Sequence, residues 1–338
     1  MTKNNIEPVR LMANENPFGP SPKALAAINE QSQNVHCYPD WVPQTLKEKL
    51  AAKNQVPPKN IIVSAGSYEL INLISRFLVN RDEEILTFDN TFIAYSLSAK
   101  RNGRKCVIAH MSGLDCNLEN LISLCTNKTK VIFFANPNNP TGTIVTHDSL
   151  KNLLETVPDN VLVVVDEAYC EYVTDESYPD SRQLQKDFSN LIILRTFSKI
   201  YGLAGLRIGY GIAGEKLVKI LAKNQILRSI NLLGEKAAEA ALDDVEYINH
   251  SASYNSKERA YLFNELKQLG FVVNESQANF QYLLFQDNEQ KNNVYETLEK
   301  DGLMVCDLEI FGQEKSLRIT IGQSETNQRI IDCLSQIK

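Results

Sequence analysis

Val161-Leu162-Val163-Val164-Val165-Asp166-Glu167-Ala168-Tyr169 places five aliphatic side chains in a row ahead of a carboxylate. A strand with one wet face alternates polar and apolar; one with no polar position is covered on both faces, as at the centre of a parallel sheet. The flanking sequence agrees. Helical spacing over residues 45–54, 68–79, 94–101, 118–125 and 149–156 alternates with short apolar strands over 61–63, 85–88, 106–109, 131–135, 161–165 and 191–195. This predicts an α/β fold of βαβ units, a mostly parallel sheet sandwiched by helices. Beyond about residue 235 the texture changes. Helices are expected over 236–242, 258–269, 294–298 and 329–337, and strands over 271–273, 280–285 and 317–321. That pattern reads as a smaller α+β domain. The expected division is residues 1–43 as an N-terminal arm, 44–235 as a large domain and 236–338 as a small one.

The 338 residues are 43% hydrophobic, which supplies a sizeable core and excludes a disordered or collagen-like chain. The net charge of −6 argues against nucleic acid as a partner, because phosphate neutralisation needs a basic surface. No run approaches the roughly 20 apolar residues of a membrane span, and residues 1–7 lack the apolar stretch of a secretory signal. Seven scattered cysteines without a C-x-x-C pair, and four dispersed histidines, suggest neither a disulfide framework nor a metal site. A reducing cytoplasm is expected.

Ligands of open α/β sheets sit beyond the carboxyl ends of the strands. Four such ends carry unusual chemistry. The strand at 61–63 runs into Ser64-Ala65-Gly66-Ser67-Tyr68-Glu69 and a helix, a turn whose free N–H groups favour an anion. The strand at 131–135 runs into Asn136-Pro137-Asn138-Asn139-Pro140-Thr141-Gly142, a rigid turn that presents amides. Asp166 ends a buried strand, where a carboxylate is expensive without a cation or donor. The strand at 191–195 runs into Thr196-Phe197-Ser198-Lys199, with Arg207 downstream. Each piece alone also reads as an ordinary turn, cap or solvated lysine. Together they ask for one ligand. It has a phosphate for the Gly66 turn, Ser198 and Arg207, and a basic ring nitrogen for Asp166. It also has an oxygen for Asn139 and Tyr169, and an electrophilic carbon for Lys199. Pyridoxal 5′-phosphate has all four.

On these residues the chain resembles the fold-type I pyridoxal-phosphate enzymes, the class I and II aminotransferases, and among them the histidinol-phosphate aminotransferase family. The matching pieces also include Asn14-Glu15-Asn16-Pro17-Phe18-Gly19-Pro20-Ser21-Pro22, Tyr38-Pro39-Asp40, Tyr201–Gly209 and Leu317-Arg318-Ile319-Thr320-Ile321-Gly322, in family order across nearly the whole chain. The resemblance implies that Lys199 forms the cofactor aldimine and then carries the proton between Cα and the cofactor. Asp166 keeps the pyridine nitrogen protonated, and Tyr169 and Asn139 bind the ring oxygen. Ser67 and Tyr68 through their backbone, with Thr196, Ser198 and Arg207, cradle the phosphate, and Phe92 stacks on the ring. It further implies a homodimer with shared active sites, the arm joining the small domain and the interface, and Tyr38 reaching the neighbouring subunit's cofactor phosphate. Asn16, Arg318 and Arg329 are implied for the substrates, an amino donor and a 2-oxo acid. The expected reaction moves an amino group from L-histidinol phosphate or an aromatic amino acid to 2-oxoglutarate. The alternatives are a threonine-phosphate type decarboxylase and a non-enzymatic regulator built on the same fold. Arg228-Ser229-Ile230-Asn231-Leu232-Leu233 lacks the family's proline and aromatic, and Gly322-Gln323-Ser324-Glu325-Thr326-Asn327 lacks an arginine. Both departures fall at the substrate end.

Overall fold

The computed structural model describes residues 7–337, so residues 1–6 of the polar lead and residue 338 lie outside it. The chain begins with β1 (Val9–Leu11), α1 (Pro22–Gln31) and α2 (Gln44–Asn54). An alternating run follows: β2 (Ile61–Ser64), α3 (Ser67–Phe77), β3 (Glu84–Phe88), α4 (Ala94–Arg101), β4 (Lys105–Ala109) and α5 (Leu118–Leu124). It continues through β5 (Thr129–Ala135), α6 (His147–Thr156), β6 (Leu162–Asp166), α7 (Ser181–Asp187), β7 (Leu191–Thr196), β8 (Gly209–Ile212) and α8 (Glu215–Asn224). The remainder comprises α9 (Leu232–Leu242), α10 (Val245–Gln268), β9 (Val272–Val273), β10 (Phe280–Leu284) and α11 (Asn288–Lys300). It ends in β11 (Leu303–Asp307), β12 (Ser316–Thr320) and α12 (Ser324–Leu334).

Seven strands form one sheet in the order β2-β8-β7-β6-β5-β3-β4. The five from β7 to β4 are parallel, and β8 runs antiparallel to both β7 and β2. The valine-rich β6 lies between β5 and β7 with all five residues buried. Leu162 and Val164 pack into one core and Val163 and Val165 into another on the opposite face. This accounts for its lack of alternation, since each face meets its own helical layer. A second sheet has the order β1-β11-β12-β10-β9 and is antiparallel except for the β1–β11 pair. Leu11, Leu283, Leu303, Leu317 and Ile319 give it a core of its own with α10, α11 and α12. The N-terminal strand thus joins the C-terminal sheet, Val9 opposite Leu303.

Several elements differ from the sequence reading. The helix expected over 258–269 is the last part of a 24-residue helix that starts at Val245. Its early turns bury few apolar side chains, so they show no apolar period; Ser251 and Asn255 are buried there. β8, not predicted from the sequence, is a buried strand. A Cβ on Gly209 would stand 2.5 Å from the Ser67 nitrogen, so only glycine lets β8 lie this close to the start of α3. β1, α1, α7, α8 and β11 are not predicted from the sequence; β1 has three residues, too few for a periodicity. No helix among the described residues is long and apolar enough to cross a membrane. All seven cysteines are free thiols.

Candidate active site

The carboxyl ends of β5, β6 and β7, the start of α3 and the middle of β12 surround a cleft of about 230 Å³. One end is built for an anion. Gly66 precedes α3 with φ +79°, and no side chain caps the helix, which leaves its first N–H groups open toward Ser67 and Tyr68. A Cβ on Gly66 would stand 2.4 Å from Nη2 of Arg207, so the glycine admits the guanidinium to this corner. Arg207 Nη1 donates to Ser198 Oγ at 3.1 Å, and Thr196 Oγ1 donates to the same oxygen at 3.0 Å. Arg207 itself holds φ +55°, a left-handed conformation uncommon outside glycine and asparagine. Ser67, Tyr68, Thr196, Ser198 and Arg207 all line this end.

The floor carries the acid. Asp166, 3% exposed, accepts a hydrogen bond from Tyr95 Oη on Oδ2 at 3.2 Å, while its buried Oδ1 has no partner among the described residues. Burial pushes its carboxyl up to about 6, against the opposing pull of the Tyr95 hydroxyl, the Ala168 N–H and the Lys199 charge. The Asn136–Gly142 turn divides its asparagines by role. Asn136 and Asn138 bond to Val145, Asn90, Thr91 and Thr141 and so hold the turn's shape. Asn139 faces the cleft, where its Oδ1 accepts from Arg318 Nη1. The Tyr169 hydroxyl accepts from Asn14 Nδ2 at 2.9 Å, and Phe92 lines the same space.

Lys199 Nζ donates to the Ala13 carbonyl at 2.8 Å and lies 5.5 Å from the Tyr169 ring centre. Burial lowers the amine to about 7, and the charge of Arg318 adds to the shift. A lysine that loses its proton near neutrality is a nucleophile and a base. Arg318 is buried at the middle of β12. Its Nη2 donates to the Met12 carbonyl at 2.6 Å, and its buried Nε has no partner among the described residues. Phe280 and Phe311 lie 5.4 and 6.0 Å from its guanidinium carbon.

These residues fit the pyridoxal phosphate expected from the sequence. The unpartnered Asp166 Oδ1 suits a ring N–H, because a buried carboxylate oxygen without a donor is costly. The corner kept open by Gly66 suits a phosphate, and the amine of Lys199 shares the cleft with both.

A family model described as aminotransferase class I and II matches residues 6–334. The chain belongs to this aminotransferase family. Similar relatives include the histidinol-phosphate aminotransferases of Anaeromyxobacter sp. and Moorella thermoacetica. They are 40% and 39% identical, over 97% of this chain and 90% and 85% of theirs. Among solved structures, the histidinol-phosphate aminotransferase of Sinorhizobium meliloti, in complex with pyridoxal-5′-phosphate, superposes with a TM-score of 0.91. It is 26% identical, over 98% of this chain and 90% of that one.

Two residues expected at the aminotransferase site, Arg329 and Asn16, stand elsewhere. Arg329 does not reach the cleft: its Nη2 donates to Asp301 Oδ2 at 3.2 Å and to the Asp301 carbonyl at 2.8 Å, beside Lys300 and Asp332. The resemblance implied it beside Arg318, but its face of α12 turns toward the end of α11. Asn16 is also not in the cleft. Its Nδ2 donates to the Ile200 carbonyl at 2.7 Å and to the hydroxyls of Tyr247 and Ser251, bracing the N-terminal segment against the Lys199 loop. Asn14, two residues earlier with φ +55°, takes the place in the cleft. Tyr38, expected at the neighbouring subunit's cofactor, is 83% exposed outside its own chain's cleft, with Arg228 over its ring at 4.9 Å. Asn14, Tyr95 and Phe311 are the site residues that sequence reasoning missed. Asn14 opens a matching piece of the sequence and Tyr95 is an aromatic three residues after Phe92 at a helix start, whereas Phe311 left no signal.

Proposed function

We propose that this aminotransferase moves the amino group of L-histidinol phosphate to 2-oxoglutarate, with pyridoxal phosphate held in the cleft. The observation that carries the reading is Arg318, the one guanidinium lining the cleft away from the phosphate corner among the described residues. A planar fork binds phosphate or carboxylate equally well. Histidinol phosphate presents one phosphate and no carboxylate, so a single fork meets its need. The names of the relatives support the transferase reading.

Bound pyridoxal phosphate supplies a protonated ring that disperses the negative charge left when a donor Cα loses its proton. The chain does the rest. Lys199 Nζ removes that proton, and its value of about 7 leaves it able both to accept and to return it. Asp166 Oδ1 accepts the ring N–H and keeps it protonated. Tyr169 and Asn139 hold the ring oxygen, Phe92 covers the ring, and the Gly66 turn with Ser67, Tyr68, Thr196, Ser198 and Arg207 binds the phosphate. Arg318 anchors the phosphate of the donor and then one of the two carboxylates of the acceptor.

The test is a panel of histidinol phosphate, phenylalanine and threonine phosphate with 2-oxoglutarate. Histidinol phosphate is expected to give the highest kcat/KM, with glutamate formed and no carbon dioxide. A higher value for phenylalanine, or release of carbon dioxide from threonine phosphate, overturns the reading. Arg318→Ala is expected to lower kcat/KM for histidinol phosphate about 10- to 100-fold, mostly through KM, the range for a lost hydrogen bond to a charged group.

We further propose a homodimer. Tyr38, Trp41, Val42, Ile226 and Leu227 are each more than half exposed, a concentration of apolar surface that supports burial against a second copy. In that assembly Tyr38 serves the partner's phosphate corner. Sedimentation is expected to give twice the 38.1 kDa of one chain, and Trp41→Asp to shift it to monomer with loss of activity. A wild-type monomer with full activity contradicts the assignment. The two sheets are taken as the cores of two domains dividing near residue 235, with residues 1–43 as the arm. The free thiols suit a cytoplasmic location.

A further inference from the structure

We propose that Tyr95 is a positioning residue: its hydroxyl holds the Asp166 carboxylate in the orientation and ionised state that a protonated ring nitrogen requires. This rests on the reading of the cleft as a pyridoxal phosphate site.

Tyr95 lies in the first turn of α4 with none of its surface exposed. Its ring stacks on Phe133 of β5, with centroids 5.2 Å apart and planes 5° from parallel, and Phe92 meets it edge-on at 5.7 Å. Phe133 and Ala135 point to the same face of β5, and Ala135 is the register partner of Asp166. The stack therefore aims the tyrosine along that face toward the end of β6, where its hydroxyl donates to Asp166 Oδ2 at 3.2 Å. This is the one side-chain hydrogen bond to Asp166 among the described residues, and Oδ1 has none. One oxygen is tethered and the other is left for a ligand. Tyr95 does not line the cleft; Phe92, three residues earlier, does.

A carboxylate's terminal torsion is soft, so a buried aspartate without a tether does not keep one oxygen pointed at one atom. The groups facing Asp166 are Tyr95 from α4, Lys199 after β7, and Glu167 and Tyr169 after β6, with the Ala168 N–H. The buried Cys116 thiol is near enough for its charge to oppose ionisation of Tyr95. Lys199 and the two hydrogen-bond donors favour the ionised carboxylate, whereas Glu167 opposes it. Of the side chains, only Tyr95 both favours the charge and fixes the direction. Without its hydroxyl the carboxyl keeps its proton to higher pH, and a neutral acid no longer holds the ring nitrogen protonated.

Tyr95→Phe keeps the stack on Phe133 and removes only the donor. Its affinity for pyridoxal phosphate is expected to fall about tenfold. The acid limb of the bound cofactor's absorbance titration is expected to move up by about one pH unit. A cofactor analogue with carbon in place of the ring nitrogen is expected to bind wild type and variant alike. Phe133→Leu, which loosens the stack and keeps the hydroxyl, is expected to show the same selectivity at smaller size. Equal weakening toward cofactor and analogue, or no weakening of either, overturns the tether while the cofactor reading stands. Failure of the wild-type protein to bind pyridoxal phosphate overturns that reading, and the tether with it.

Discussion

Lys199→Ala is expected to lower kcat for amino transfer by about 10⁴-fold or more, the upper range for loss of a positioned acid–base group that is also the nucleophile. Cofactor binding persists weakly, because the phosphate corner and Asp166 are untouched. Borohydride treatment followed by peptide mapping is expected to place the cofactor on residue 199 in wild type and nowhere in the variant. The pH dependence follows from the sign of the shift. The amine is reactive once deprotonated, and burial with the Arg318 charge brings it from 10.5 to about 7. Covalent capture of the cofactor should therefore rise as pH passes through about 7 and level off above 8. A limb near 10.5, or a fully active Lys199→Ala, assigns the chemistry to another group.

Asp166→Asn is expected to lower kcat about 10²- to 10³-fold, the scale for losing a preorganised charge beside the reacting system. It keeps the shape and the oxygen that Tyr95 contacts, but not the charge proposed to hold the ring nitrogen protonated. The same substitution is expected to stabilise the cofactor-free protein. Asp166 titrates near 6 when folded and near 3.8 when free, so the native state holds its proton more tightly than the unfolded state does. Stability from this group is present below about 4 and is lost as pH rises through about 6. At pH 7 the neutral asparagine removes that penalty, up to about 3 kcal/mol. Thermal melts of the cofactor-free forms should separate at pH 7 and converge near pH 4. A variant that melts lower than wild type at pH 7 removes burial of the charge as the explanation. An activity loss together with a stability gain marks a residue held for function.

Both residues were legible in the sequence because each sits at a strand end. Strand parity and a carboxyl-end rule need only a few consecutive letters, so Gly66, Asn139, Asp166, Ser198 and Lys199 could be singled out from their own segments. Arg318, in the middle of β12, came from the family resemblance and not from a strand end. Arg329 and Asn16 were assigned by the family resemblance, and a matching motif does not set the direction of a side chain in this chain. Arg329 turns to Asp301, and Asn16 reaches the backbone of the Lys199 loop. Phe311 follows from a short turn, Leu308–Phe311, which no periodicity announces.

The sequence by itself determined the α/β class and the cofactor and singled out Lys199 as a candidate, because burial on both faces of a strand and the chemistry at its end are written within a few residues. Only the tertiary structure decided which asparagine enters the cleft, that β1 completes the C-terminal sheet, and that Tyr95 reaches Asp166 from 71 positions away. The reason is physical. Those contacts join segments far apart in the chain, and their partners are chosen by how helices and sheets pack.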